Sequence, residues 1–181
     1  MKYFYLTLKL LLFIYLCYLA YYLTFEYNPA TSSARPPFFL WVIDIINLFI
    51  HEAGHFFFNI FGQWIYFLGG SLFQCLVPLA LVVVTLRQNP SNTPYAGFWF
   101  GENLVNVSIY IKDAPFQQLH LIGQGLIHDW HWLLADHLDT PEPLGDAVRV
   151  MGILICAGSI CAGVLLSIRD FRWYQEPTIN D

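Results

Sequence analysis

The sequence predicts an all-α, polytopic membrane helix bundle, and three observations carry that expectation. Of its 181 residues 57% are hydrophobic and only 12% charged, where a soluble domain carries about 25% charged residues. Five stretches approach the ~20 apolar residues that a helix needs to cross a hydrocarbon core. Tyrosine and tryptophan gather near the ends of those stretches, where amphipathic rings settle at the headgroup level. About five transmembrane helices follow, or four with one shorter buried helix, in a single integral membrane domain over residues 1–181.

The first helix is expected over Tyr3 to Leu23, interrupted only by Lys9, whose long stem can reach a headgroup layer. The apolar run is too long for a signal-peptide core and ends without a small-x-small cleavage site, so it reads as retained. The second helix runs from Phe38 to Phe61. The third covers Ile65 to Leu86, with Gly69-Gly70 near its start and Pro78 inside it, which suggests a kink or a re-entrant entry. The fourth, Tyr95 to Ile111, is the weakest by hydropathy because Glu102, Asn103 and Asn106 interrupt it. The last runs from Ala147 to Ile168, with small-residue faces at Gly152, Gly158, Ala162 and Gly163 that permit close packing. Turn-rich loops at 28–37 and 88–94 separate helices rather than domains. Residues 112–146 form the only sizeable polar segment, with four of the six histidines and six of the thirteen acids, and read as a polar cap or re-entrant segment between helices 4 and 5.

Charge and cysteine content narrow the function. Thirteen acids against eight bases, with no basic run to neutralise a series of phosphates, exclude nucleic acid as a partner. The four cysteines lie within apolar stretches and show no Cys-x-x-Cys spacing, so neither a disulfide framework nor a cysteine zinc site is expected. Basic residues flanking the helices place the C-terminus in the cytoplasm by the positive-inside rule. A multi-pass protein of a bacterial inner (plasma) membrane is the expected setting, in contact with membrane lipids and with a membrane complex partner or a second copy of the chain.

His51-Glu52-Ala53-Gly54-His55 carries the chemistry. On a helix, residues four apart differ by about 40° in azimuth, so His51 and His55 project from one face and can share a zinc ion. Glu52 sits about 100° round, where it can reach a metal-activated water without being a ligand. A carboxylate inside a membrane helix costs about 2.5 kcal/mol or more on insertion scales, so its presence calls for a use. Asp44, Asn47 and Asn59 fall with the two histidines within about 120° of azimuth, one polar stripe facing the bundle interior. Glu102, Asn103, Asn106, Tyr110 and Asp113 form a matching stripe on the fourth helix, within about 100°. Asp44, Asn47, Asn103, Asn106, Tyr110 and Asp113 are therefore candidates for orienting the imidazoles or binding substrate. A catalytic zinc takes three protein ligands plus water. His128, in His128-Asp129-Trp130-His131-Trp132, is the first candidate for the third, with Asp129 as the alternative.

The segment His51 to His55, followed by Phe56-Phe-Phe-Asn-Ile-Phe-Gly62, resembles the membrane zinc metallopeptidases of the site-2 protease group. It also resembles a set of small uncharacterised bacterial membrane proteins that pair this motif with a later His-Asp-Trp, here His128-Asp129-Trp130. The resemblance implies His51 and His55 as ligands and Glu52 as catalytic base. Site-2 proteases take their third ligand from a Leu-Asp-Gly motif; the nearest string here, Leu138-Asp139-Thr140, lacks the glycine, so that ligand is not carried over. The expected function is a membrane-embedded zinc metallopeptidase that hydrolyses a peptide bond of a membrane-protein or peptide substrate in or near the bilayer. The alternatives are a zinc-dependent lipid amidase or esterase, and a non-catalytic metal-binding subunit of a membrane complex.

Overall fold

The computed structural model describes residues 2–28, 36–119, 127–137 and 139–173. Six α-helices follow in chain order: α1 (Lys2–Phe25), α2 (Phe38–Phe58), α3 (Gln63–Gln88), α4 (Thr93–Asp113), α5 (Asp129–Leu133) and α6 (Pro141–Trp173). No strand occurs among the described residues, and the architecture is an all-α bundle.

Among the described residues four helical stretches are long and apolar enough to cross a membrane: Tyr3–Phe25, Phe38–Phe61, Gln63–Gln88 and Pro141–Arg172. Their outward faces are apolar, with Phe4, Ile14, Phe49, Phe56, Leu154 and Leu165 among the most exposed side chains. α4 is the inverse case. It is a helix of 21 residues, yet it falls short in hydropathy because its polar side chains face other helices. Glu102, Asn103, Asn106, Ser108 and Asp113 are all buried on it. The fourth expected helix, Tyr95 to Ile111, is therefore the buried core helix, around which α3, α6 and, through side chains, α2 are arranged. An apolar exterior around a polar core is the arrangement expected where the surrounding solvent cannot hydrogen-bond.

Close approach explains where the small residues fall. A Cβ at Gly101 would lie 2.7 Å from Gly152 O, and one at Gly152 would lie 2.6 Å from Gly101 O, so α4 and α6 touch backbone to backbone. Gly163 admits the ring of Phe13 from α1, whereas Gly158 meets nothing. Phe13, Leu16, Leu19 and Leu23 of α1 pack with Phe98, Val105 and Ile160 into the apolar core. Arg149 donates to the carbonyls of Leu23 and Thr24 at 3.0 and 3.1 Å, satisfying oxygens that the end of α1 leaves without helical partners.

α3 runs unbroken through Pro78, so Gly69-Gly70 are helix positions rather than a re-entrant turn. Gly62, with φ of 92°, adopts the left-handed region that glycine alone enters freely and reverses the chain between α2 and α3. α6 begins at Pro141, six residues before the apolar run at Ala147. Proline's missing N–H is harmless in a first turn, and that turn is polar, which hides it from a hydropathy reading. Of the polar segment 112–146, residues 120–126 and 138 lie outside the described residues.

Candidate metal centre

α2 places His51 and His55 one turn apart on its inner face, with Nε2 atoms 3.2 Å from each other. Asp129, the first residue of α5, brings its Oδ2 to 2.9 Å from His51 Nε2 and 3.2 Å from His55 Nε2. Among the described residues these three side chains form the one cluster of three or more His, Cys, Asp or Glu groups placed to hold a metal ion.

The far sides of the rings decide what the near sides can do. His55 Nδ1 is 2.8 Å from the carbonyl oxygen of Tyr66, which can only accept, so Nδ1 carries the proton and Nε2 presents a lone pair. Gln74 donates through Nε2 to Asn106 Oδ1 at 2.8 Å, which turns its Oε1 toward His51 Nδ1 at 3.3 Å and favours the same tautomer. Two imidazole nitrogens and a carboxylate oxygen then converge as acceptors, an arrangement that is repulsive until a cation sits among them. Two imidazole nitrogens and a carboxylate oxygen are donors that a divalent metal ion such as zinc accepts. Tetrahedral zinc with bonds of about 2.0–2.1 Å spaces its ligands about 3.3–3.4 Å apart, close to the 2.9 to 3.2 Å separations here.

α3 makes room for the pair. A Cβ at Gly70 would stand 2.5 Å from His51 Nε2 and 2.7 Å from His55 Nε2. One turn earlier Tyr66 holds His55, and one turn later Gln74 holds His51. Positions 66, 70 and 74 share a helical face. The sequence marks Gly70 only as part of an expected kink or re-entrant entry, and it marks neither Tyr66 nor Gln74. The available signal was a glutamine inside an apolar helix, which requires a buried partner, aligned with a glycine four residues earlier.

Asp129 is delivered by a short helix tied down on several sides. Trp130 Nε1 donates to Ser71 Oγ at 3.0 Å, and the Trp132 ring stacks on Phe67 with centroids 4.4 Å apart. His131 Nδ1 lies 2.8 Å from Ala114 O. His128, the first candidate for third ligand, does not join the histidine pair. It is buried with Nε2 3.1 Å from Asp113 Oδ2, and the same carboxylate accepts the backbone N–H groups of Gln118 and Leu119 at 3.0 and 2.9 Å. Asp113 thus joins the end of α4 to the residue that precedes Asp129.

The two polar stripes meet. Asp44 Oδ1 accepts from Tyr27 OH at 2.7 Å and from Asn106 Nδ2 at 3.3 Å, and Asn106 Nδ2 also donates to Tyr27 OH at 2.8 Å. Asn47 donates to Glu102 Oε2 and accepts from Trp99 Nε1, both at 2.9 Å. A continuous run of hydrogen bonds therefore leads from His51 through Gln74 and Asn106 to Asp44. Tyr110 lies against His51 with ring centroids 6.3 Å apart, and against His128 at 6.5 Å. Asn103 turns elsewhere and donates to Trp99 O at 2.9 Å. Asn59 is exposed, past the end of α2. Glu52 is exposed too, on the apolar face that carries Phe49 and Phe56. Its charge is felt at His55 and Tyr110, but no hydrogen bond among the described residues ties it to the cluster.

No protein-family model, curated protein or solved structure matches this chain.

Proposed function

We propose that the chain is a multi-pass integral protein of a bacterial inner membrane, in which His51, His55 and Asp129 hold a zinc ion. In this reading the site hydrolyses a peptide bond in or near the bilayer. The observation that carries the proposal is the meeting of two Nε2 lone pairs and Asp129 Oδ2, with both Nδ1 atoms committed to oxygen acceptors. Three protein ligands, rather than four, match a catalytic zinc more closely than a structural one. When bound, zinc supplies the Lewis acidity that makes water nucleophilic near neutral pH.

The chain's own residues supply the rest. Gln74 and the Tyr66 carbonyl orient the imidazoles, and the His128–Asp113 pair sets the position of Asp129. Glu52, whose role rests on the likeness to the site-2 protease motif, would take the proton that the attacking water gives up and pass it to the leaving nitrogen, its carboxylate turning in from the outer face that carries Phe49 and Phe56. The likeness of His51 to His55 to the site-2 protease motif supports the roles of His51, His55 and Glu52.

The exposed position of Glu52 among Phe49 and Phe56 favours a second reading, in which the bond cleaved is an amide or ester of a lipid. Purified, zinc-loaded protein assayed on a peptide library and a lipid panel separates the two. Peptide cleavage that disappears in Glu52→Gln supports the first reading and lipid hydrolysis that disappears supports the second. Stoichiometric zinc with neither activity leaves a metal-binding subunit of a membrane complex.

A further inference from the structure

Glu102 lies at the centre of the bundle with no exposure, and so does Asn103 beside it. Glu102 Oε2 accepts from Asn47 Nδ2 at 2.9 Å and sits 3.4 Å from Asn103 Nδ2. The other two acceptors, Glu102 Oε1 and Asn103 Oδ1, have no hydrogen-bond partner among the described residues. The Asn103 amide cannot be turned to repair this, because its nitrogen donates to Trp99 O at 2.9 Å. Two fully buried oxygen acceptors on neighbouring residues therefore lack a donor among the described residues.

Among the described residues nothing nearby supplies a positive charge. The titratable groups whose fields meet at Glu102 are Asp44 of α2, Tyr27 ahead of it, Cys75 of α3 and Cys156 of α6, all acids. Among the described residues no lysine, arginine or histidine pairs with Glu102 or Asp44. An isolated buried carboxylate is strongly unfavourable without a compensating cation or proton. The Asp44 oxygen that faces this network already accepts from Tyr27 and Asn106, so it does not relieve the deficit.

We propose that Glu102 and Asn103 form a second, monovalent-cation site, distinct from the metal centre, in which one small cation is held at Glu102 Oε1 and Asn103 Oδ1. The class follows from the donors. One carboxylate flanked by neutral amides balances a single charge, and hard oxygen ligands without thiolate or imidazole suit a sodium ion or a proton rather than a transition metal. Glu102 hydrogen-bonds to none of His51, His55 or Asp129, so the site does not depend on what those residues bind.

The test uses the full chain in lipid nanodiscs, unfolded thermally in sodium chloride and in choline chloride at equal ionic strength, together with infrared spectra of the same samples. If the cation is sodium, the wild-type midpoint rises by about 2–4 °C in sodium over choline, and Glu102→Gln shows no such rise. If it is a proton, the midpoints coincide and the spectrum contains the carbonyl stretch of a neutral carboxylic acid, which Glu102→Gln removes. Should that variant fail to fold, Glu102→Asp serves: the sodium response weakens or the acid band shifts in position. Equal midpoints in the two salts, with a spectrum in which neither substitution alters a neutral-acid band, would overturn the proposal.

Discussion

A Cβ atom at Gly70 would stand 2.5 Å from His51 Nε2, so the absence of a side chain on α3 is what allows the two imidazoles of α2 to converge. The atoms it would meet are the ends of two rings rather than backbone. Gly70→Ala is therefore expected to push the imidazoles apart while leaving the helix intact, since alanine raises helix propensity by about 1 kcal/mol at an interior position. Zinc affinity measured by competition with a chelator is expected to fall at least tenfold with no loss of thermal stability in metal-free protein. Unchanged affinity would mean that the rings are not packed against α3 as described.

Gln74 acts one turn further along the same face. Gln74→Leu removes the acceptor for His51 Nδ1 and the donor to Asn106 Oδ1. Loss of such an outer partner typically lowers metal affinity by about 10–100-fold, and that drop is expected here. Gln74→Glu keeps the acceptor at His51 and is expected to retain most of the affinity. Equal losses in the two variants would assign Gln74 to packing alone.

The helices were legible in the sequence and the third ligand was not, for a physical reason. Apolar runs of membrane length impose helix because every backbone group needs an internal partner, and α1, α2 and α3 follow the expected stretches closely. The polar stripes on α2 and α4 were legible because a 3.6-residue period aligns Asp44, Asn47, His51 and His55 without reference to tertiary structure. His128 and Asp129 are sequence neighbours of ligand type, and the choice between them depends on how α5 is rotated. That rotation is set by contacts distant in sequence: His128 with Asp113, Trp130 with Ser71, Trp132 with Phe67. Gly70 reads from the sequence as a kink or re-entrant position and Gln74 as one polar residue in an apolar helix, and their place beside the histidines emerges only once α3 lies against α2.

Asp113 is expected to matter without touching the metal. It accepts from two backbone N–H groups and sits against a buried imidazole, and each buried group left without a partner costs about 1–3 kcal/mol. Asp113→Ala is expected to loosen the 117–119 turn and His128 together, and so to weaken zinc binding through Asp129. Tryptophan fluorescence from Trp130 and Trp132, compared between wild type and variant with and without zinc, reads the docking of α5. A variant whose fluorescence and zinc affinity both match wild type would separate this pair from the site.

The α4–α6 contact admits no side chain. A Cβ at Gly101 would meet Cys156 Sγ and Gly152 O at 2.7 Å each. Gly101→Val is expected to destabilise the bundle by about 1–3 kcal/mol or more through overpacking, seen as a lowered midpoint in thermal unfolding. An unchanged midpoint would place the two helices further apart.

The proposed zinc ligands are most directly tested by X-ray absorption at the zinc edge on purified protein, alongside metal content. The expected result is one zinc per chain, two imidazoles and oxygen ligands in the first shell, with binding abolished by Asp129→Ala and reduced by His128→Asn. Three imidazoles in the first shell, or zinc retained in full by Asp129→Ala, would contradict the centre formed by His51, His55 and Asp129.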